Sequence, residues 1–399
     1  MNSLRFIILL SMGCVIVLAG MLSYSRRAEP HTTWVYYNVY DQNEFHLYRA
    51  NPNNPRHNKR ISYGNYDELV TWTPDGKQAI VAAYDGQWHL NRLNPSGGIP
   101  TRLFTVNDGS FFVRWIDDWL YYQTTVPRGF SLKRFHIVTE AQESLLPPEI
   151  NYETLIDVTD QTIYFVREVD YVRSIFRADA DGITPIYTLD SGDIVQVRKP
   201  NTEAFIVRDA VGILIYVDEQ ERIPLTDSEG NDFFETWYGD SIIFSSRRGG
   251  NTDLYQVQVG EPIQQLTNTE GNTWFEAWLD DGETMLINSG LPGGERNLFL
   301  FHVPTQQLTL ISDNIDTATF ATWFPSGEDL LIAAYDGNNK LYQINLMGEI
   351  VQAFPYPDGD KQFMSLAPLV TLSWRGGIVL IMASVLLALA WGYGKVMYT

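Results

Sequence analysis

The chain has 399 residues, 13% of them aromatic, and 48 acidic residues against 28 basic ones give a formal net charge of −20. Arg5, Arg26, Arg27, Arg375 and Lys395 lie near the ends, so the stretch between them holds 23 basic and 48 acidic residues, a net charge of −25. So acidic a body repels phosphate backbones, which argues against nucleic acid as a partner. The single cysteine, Cys14, excludes an internal disulfide and any cysteine-based zinc or iron–sulfur site.

After a five-residue tail, residues 6–24, "FIILLSMGCVIVLAGMLSY", run uncharged. At 1.5 Å per residue they reach across a hydrocarbon core of roughly 30 Å, which predicts a transmembrane helix acting as a signal anchor. A cleaved signal peptide with Arg5 as its charged region is the alternative. The apolar run is long for that role, and no Ala-x-Ala site follows it.

Residues 28–369 read as repeats. "HTTWVYYNVYDQNEFHLYRANPNNPRHNKRISYG" (31–64) supplies three strands. "DELVTWTPDGKQAIVAAYDGQWHLNRLN" (67–94) then supplies a strand ending on Trp, a Pro-Asp-Gly turn, an apolar strand and a third strand. The pattern returns at 109–138, 231–259, 273–303 and 318–346, with the marker Trp at 72, 115, 237, 278 and 323. The gap from 115 to 237 is three periods of about 41 residues, so two units without the Trp, near 152–179 and 193–219, must fill it. Each unit predicts four antiparallel strands, A to D, with the Trp on A, the Asp-Gly turn between A and B, and a short D ending in Leu-Thr. Four such strands in 40–45 residues make a propeller blade.

"DKQFMSLAPL" (360–369) falls one period after Trp323 and can supply strand A alone. It would complete the first unit and close the ring, leaving no free edge there. The prediction is an all-β, eight-bladed propeller; seven blades is the alternative if a degenerate unit is misread. Residues 376–394, "GGIVLIMASVLLALAWGYG", predict a second transmembrane helix before the tail 395–399, with Trp374, Trp391 and Tyr393 as interfacial aromatics. Ser384, Ala388 and Gly392 form a small-residue stripe suited to packing on the first helix. The expected topology puts the propeller outside the cytoplasm and both termini inside.

These repeats resemble the TolB-like, WD-like propeller family: "TWTPDGKQAI", "TWFPSGEDLLIAA", "DLYQV" and "QLT" match its strand, turn and Leu-Thr pattern over about residues 31–367. Eight blades behind an N-terminal anchor are also similar to the dipeptidyl peptidase IV propeller. The catalysis of that family resides in a separate hydrolase domain, which has no counterpart here.

Chemistry is sparse. No Gly-x-Ser-x-Gly elbow, phosphate-binding loop or dinucleotide-binding motif is present. His46, His89, His136 and His302 fall on third strands, away from the channel, which predicts no metal site. "RADADGITP" (177–185) resembles a calcium-loop fragment but lacks the later Glu, and a hairpin turn is the better reading. Glu235 and Glu276 each stand two residues before a marker Trp, a carboxylate pair that repeat kinship alone explains. No catalytic residue and no cofactor is expected. The D–A loops carry fifteen acids and one base, Lys361. Among them Asp227, Glu229, Asp232, Glu270, Asp313 and Asp316 are the candidate partner-binding residues. The expected function is a non-catalytic, membrane-anchored scaffold or accessory subunit of a membrane complex, binding a protein or peptide that is basic. A hydrolase or lyase using acids at the channel is the alternative.

Overall fold

The computed structural model describes residues 33–368 apart from positions 42–43, 52–53, 63, 65, 96, 107–110, 127–128, 147–151, 160–161, 219–220, 228–230, 291–295, 314, 316, 325–326, 336–338 and 355–359. The described residues form eight four-stranded antiparallel sheets. Blade 1 combines Thr33–Asp41, Glu44–Asn51 and Asn54–Arg60 with Asp360–Pro368. Blades 2 to 8 follow in chain order over residues 67–105, 111–144, 152–188, 194–224, 233–265, 273–310 and 318–354. The eight-blade reading and the closure by residues 360–368 both hold: Thr33 pairs with Pro368 and Tyr40 with Asp360. Residues 6–24, 376–394 and the Ser384, Ala388, Gly392 stripe lie outside the described residues. Among the described residues no helix is long and apolar enough to cross a membrane.

The core explains why strand B is an unbroken apolar run. Each sheet packs on both faces, so alternate residues of B serve opposite seams. In blade 6, Ile242 and Phe244 join the seam with blade 5, and Ile243 joins the seam with blade 7. Eight hydrophobic clusters of described residues lie one at each seam, including the one joining blade 8 to blade 1 through Leu331, Leu341, Val35 and Tyr37. Burying one Ile or Leu side chain in such a seam contributes about 1.5–3 kcal/mol.

The repeat signature now has local causes. In the A–B turn of blade 2, Gly76 donates its amide to Thr73 and Asp75 accepts from Lys77, so the chain reverses in a left-handed step. Gly76, Gly239, Gly282 and Gly327 hold φ between 58° and 71° there, where a Cβ is disfavoured. Asp117 and Asn201 take the same step in blades 3 and 5. The hydroxyl of the Leu-Thr pair accepts the amide of a Leu on strand C, Leu254 to Thr267 at 2.9 Å and Leu214 to Thr226 at 2.9 Å, and in blade 7 an Ile-Ser pair does the same, Leu298 to Ser312 at 2.8 Å. In blades 5 and 6 this pair lies just beyond strand D, which ends at Pro224 and Gln265, rather than inside it as the sequence suggested.

Candidate interaction face and central channel

Antiparallel strands divide the loops between two faces. The A–B and C–D turns lie on one, the B–C and D–A loops on the other. Thr33 and Pro368 stand opposite each other at the A–B face, so residues 1–32 and 369–399 join the ring at a single point there. The acidic D–A loops therefore lie on the face opposite the chain ends.

The acids of the D–A loops on that face, the candidate residues among them, fall into two sets. Asp67, Asp193 and Asp232 open inner strands and are buried. Asp193 accepts from Arg222 at 2.8 and 3.2 Å and from the Asp190 amide; Asp232 pairs with Arg248 at 3.0 Å. Burial pushes the Asp67 carboxyl up from its usual range, against the Gly64 amide that bonds it at 2.6 Å. Asp227 lies 3.5 Å from Arg248, also at the surface, while Glu270 and Asp313 are exposed. Glu229 and Asp316 fall outside the described residues. Sequence reasoning missed the cations: Arg248 comes from the B–C loop and Arg222 from strand D, which a count of D–A loops cannot see.

Strands A are innermost: neighbouring ones touch between blades 4 and 5, 6 and 7, 8 and 1, and 1 and 2. Each carries a β-bulge at the same repeat position: Val70, Val113, Ile156, Gln196, Glu235, Glu276, Ala321 and Met364; blade 4 has a second irregularity at Glu153. Bulges bend a strand and re-aim side chains. The two carboxylates singled out in the sequence are thus structurally equivalent neighbours. Burial raises Glu276 to about 7, Arg296 opposing and Glu235 adding to the rise. Burial also raises Glu235, against a hydrogen bond from Ser245.

The marker Trp has a cross-blade role. Trp115 Nε1 donates to Thr71 Oγ1 of blade 2 at 3.2 Å, and Trp278 Nε1 to Thr236 Oγ1 of blade 6 at 3.0 Å. Thr71 and Thr236 immediately precede the marker position of their own blades. In the degenerate blades the same two positions hold Asp157 and Arg198, and Arg198 donates to Asp157 at 2.6 and 2.9 Å. Where Val197 and Ala277 stand in place of Thr, the buried indole nitrogens of Trp237 and Trp323 have no hydrogen-bond partner.

The four strand-C histidines sit on third strands as expected, each with local partners. His46 meets Glu44 at 2.9 Å, and His89 meets Gln87 O at 3.1 Å. His136 accepts from the Thr139 amide at 3.2 Å, and His302 meets Thr305 at 2.8 Å. Among the described residues no group of three or more His, Cys, Asp or Glu is placed to hold a metal. The "RADADGITP" segment is a C–D hairpin in which the Asp181 amide bonds Asp179.

Fold and repeats together define an eight-bladed β-propeller, whose repeat pattern resembles the TolB-like one. Among solved structures, a prolyl endopeptidase matches at TM-score 0.50 and 9% identity over 72% of this chain and 48% of its own. Oligogalacturonate lyase from Vibrio parahaemolyticus matches at 0.48 and 12% over 79% and 97%, and TolB from Acinetobacter baumannii at 0.37 and 12% over 86% and 85%. At these identities the likeness is one of fold. No protein-family model and no curated protein matches the chain.

Proposed function

We propose that the chain is a non-catalytic propeller anchored in a membrane by residues 6–24 and 376–394. On this reading it lies outside the cytoplasm with both termini inside, and it holds a protein or peptide as a scaffold or accessory subunit of a membrane complex. One observation carries the non-catalytic part. Of the eight equivalent bulge positions on the inner strands, five are apolar, one is Gln and two are Glu. Catalysis needs converging nucleophile, base and charge-stabilising groups, and these eight positions supply two carboxylates. The anchor reading draws on the two apolar segments and on the single point where they join the ring. The partner reading draws on the face opposite that point.

A hydrolase or lyase reading rests on Glu276, whose raised carboxyl suits a general acid near neutral pH. It requires a third polar group beside the pair, and Arg296 is the charged neighbour that influences Glu276 besides Glu235.

Affinity purification from membranes in mild detergent, followed by mass spectrometry, tests the proposal. The wild type and a Glu235→Gln/Glu276→Gln variant are expected to retain the same stoichiometric partners. Absence of any stoichiometric partner with the wild type contradicts the scaffold reading. Release of the chain by alkaline carbonate contradicts the anchor.

A further inference from the structure

We infer that the partner docks on an apolar arc across blades 4 to 6, on the face opposite the chain ends, and that its docking segment is apolar and basic. This rests on the binding reading above and gives it a location and a chemistry.

Six large apolar side chains make the arc: Val169 (42% exposed), Tyr171 (96%) and Val172 (49%) from blade 4, Ile194 (53%) and Val211 (63%) from blade 5, and Phe233 (44%) from blade 6. All lie in B–C loops or at the starts of inner strands, hence on one face. Toward the other face, Ile99, Val138 and Val259 sit singly in C–D turns of separate blades, and Met347 is joined by Ile350 and Val351 at the start of strand D of blade 8. A contiguous exposed apolar patch marks an interaction site where scattered single residues do not.

Contacts between blades tie together the loops that carry these side chains. The Arg173 guanidinium donates to Asp193 O at 2.8 Å, tying the blade 4 hairpin to the start of blade 5. A Cβ on Gly192 (φ +89°) would lie 2.7 Å from that of Ala210, so the blade 5 loops meet closely. The Asp232 amide donates to Gly212 O at 2.9 Å, and Arg208 donates to Asp232 O at 2.9 Å while lying 4.3 Å from the Phe233 ring centroid. At the blade 4 tip, Asp170 and Tyr171 both hold left-handed φ, 51° and 67°. Asn-Gly suits such a two-residue turn. Here a strained position presents a tyrosine to solvent, and Tyr is enriched at interface hot spots.

Charge selects the occupant. Four acids, Asp170, Asp190, Asp209 and Asp227, and four arginines, Arg173, Arg208, Arg222 and Arg248, border the arc, but the acids stand further into solvent: Asp190 and Asp227 are 72% and 57% exposed, against 27% and 12% for Arg222 and Arg248, which they meet only at 3.4 and 3.5 Å. A second copy meeting arc to arc would set these acids against themselves. Anionic lipid is repelled by the same charges. A basic, apolar segment satisfies both parts of the surface.

The probe is a fluorescein-labelled nine-residue peptide of alternating Leu and Lys, titrated against the full chain in phosphatidylcholine nanodiscs. Saturable binding that weakens with salt is expected. Tyr171→Ser/Val211→Ser/Phe233→Ser should weaken it at least tenfold, and Val138→Ser/Met347→Ser should leave it unchanged; these side chains are exposed, so both variants should fold. Equal binding of an alternating Leu–Glu peptide, no effect of the triple change, or doubling of mass that the triple change abolishes would each overturn the inference. Purification from membranes separates the failures. If the triple variant retains the wild type's stoichiometric partners, the arc is wrong and the scaffold reading stands. If the wild type retains none, the scaffold reading itself has failed.

Discussion

At the residue scale the recurring device is the link between the marker position of one blade and the preceding position of the blade before it. Thr–Trp serves in two seams and Asp–Arg in a third. Trp323 stands buried without an acceptor because Ala277 occupies the Thr position. Ala277→Thr should therefore stabilise the propeller by about 1 kcal/mol, read as a higher denaturation midpoint. Thr236→Val should cost about 1–3 kcal/mol, because it strands the Trp278 indole; equal midpoints for wild type and variant would show the bond to be incidental. The Trp was legible in the sequence because it recurs. Its partner was not, because Trp115 and Thr71 lie 44 residues apart and only the blade stacking brings them together.

Glu276 adds a pH signature at the same scale. Its folded-state carboxyl titrates near 7, above the ordinary value of 4.5, so the folded protein binds more protons than the unfolded chain between those values. Stability from this group is complete below about pH 4.5 and is lost as pH rises through 7. Glu276→Gln should remove that loss. The variant should match the wild type near pH 4.5 and exceed it at pH 8 by about 1 kcal/mol, after allowing for solvent screening. Thermal midpoints at both pH values check this, and a gain at pH 4.5 as large as that at pH 8 would refute the assignment.

At the element scale, the A–B turn and the Leu-Thr pair account for most of what the sequence revealed. Both are local demands, a left-handed step and an amide needing an acceptor, so they recur at fixed spacing. Gly282 isolates the first. A Cβ there meets open space, so Gly282→Ala tests backbone strain alone and should cost about 1 kcal/mol by chemical denaturation. Gly282→Asn should cost less, because Asn tolerates this conformation; the reverse order would place the cause elsewhere. The bulge on strand A was not legible. It adds one residue to a strand without altering its composition, and only the registers reveal it. The acidic D–A loops were legible as charge, but the buried roles of Asp193 and Asp232 were not, since their arginines come from other loops and strands.

At the scale of the whole molecule, closure was legible because the first unit lacks a strand A and the last segment supplies one. The pairing of Thr33 with Pro368 makes a direct check possible. With Cys14 replaced, Thr33→Cys and Pro368→Cys should form a disulfide on oxidation, stabilising the ring by about 5 kcal/mol at most. Failure of the pair to cross-link would mean that the ring is not closed there.

The central claim is that a membrane-anchored propeller presents its binding surface on the face opposite the membrane. Photo-crosslinking in native membranes, with benzoylphenylalanine placed singly at Tyr171, Phe233, Val138 or Met347, tests it most directly. One discrete protein adduct shared by positions 171 and 233 is expected, with no protein adduct from 138 or 347. Protein adducts from 138 or 347 alone, or none from 171 and 233, would contradict it.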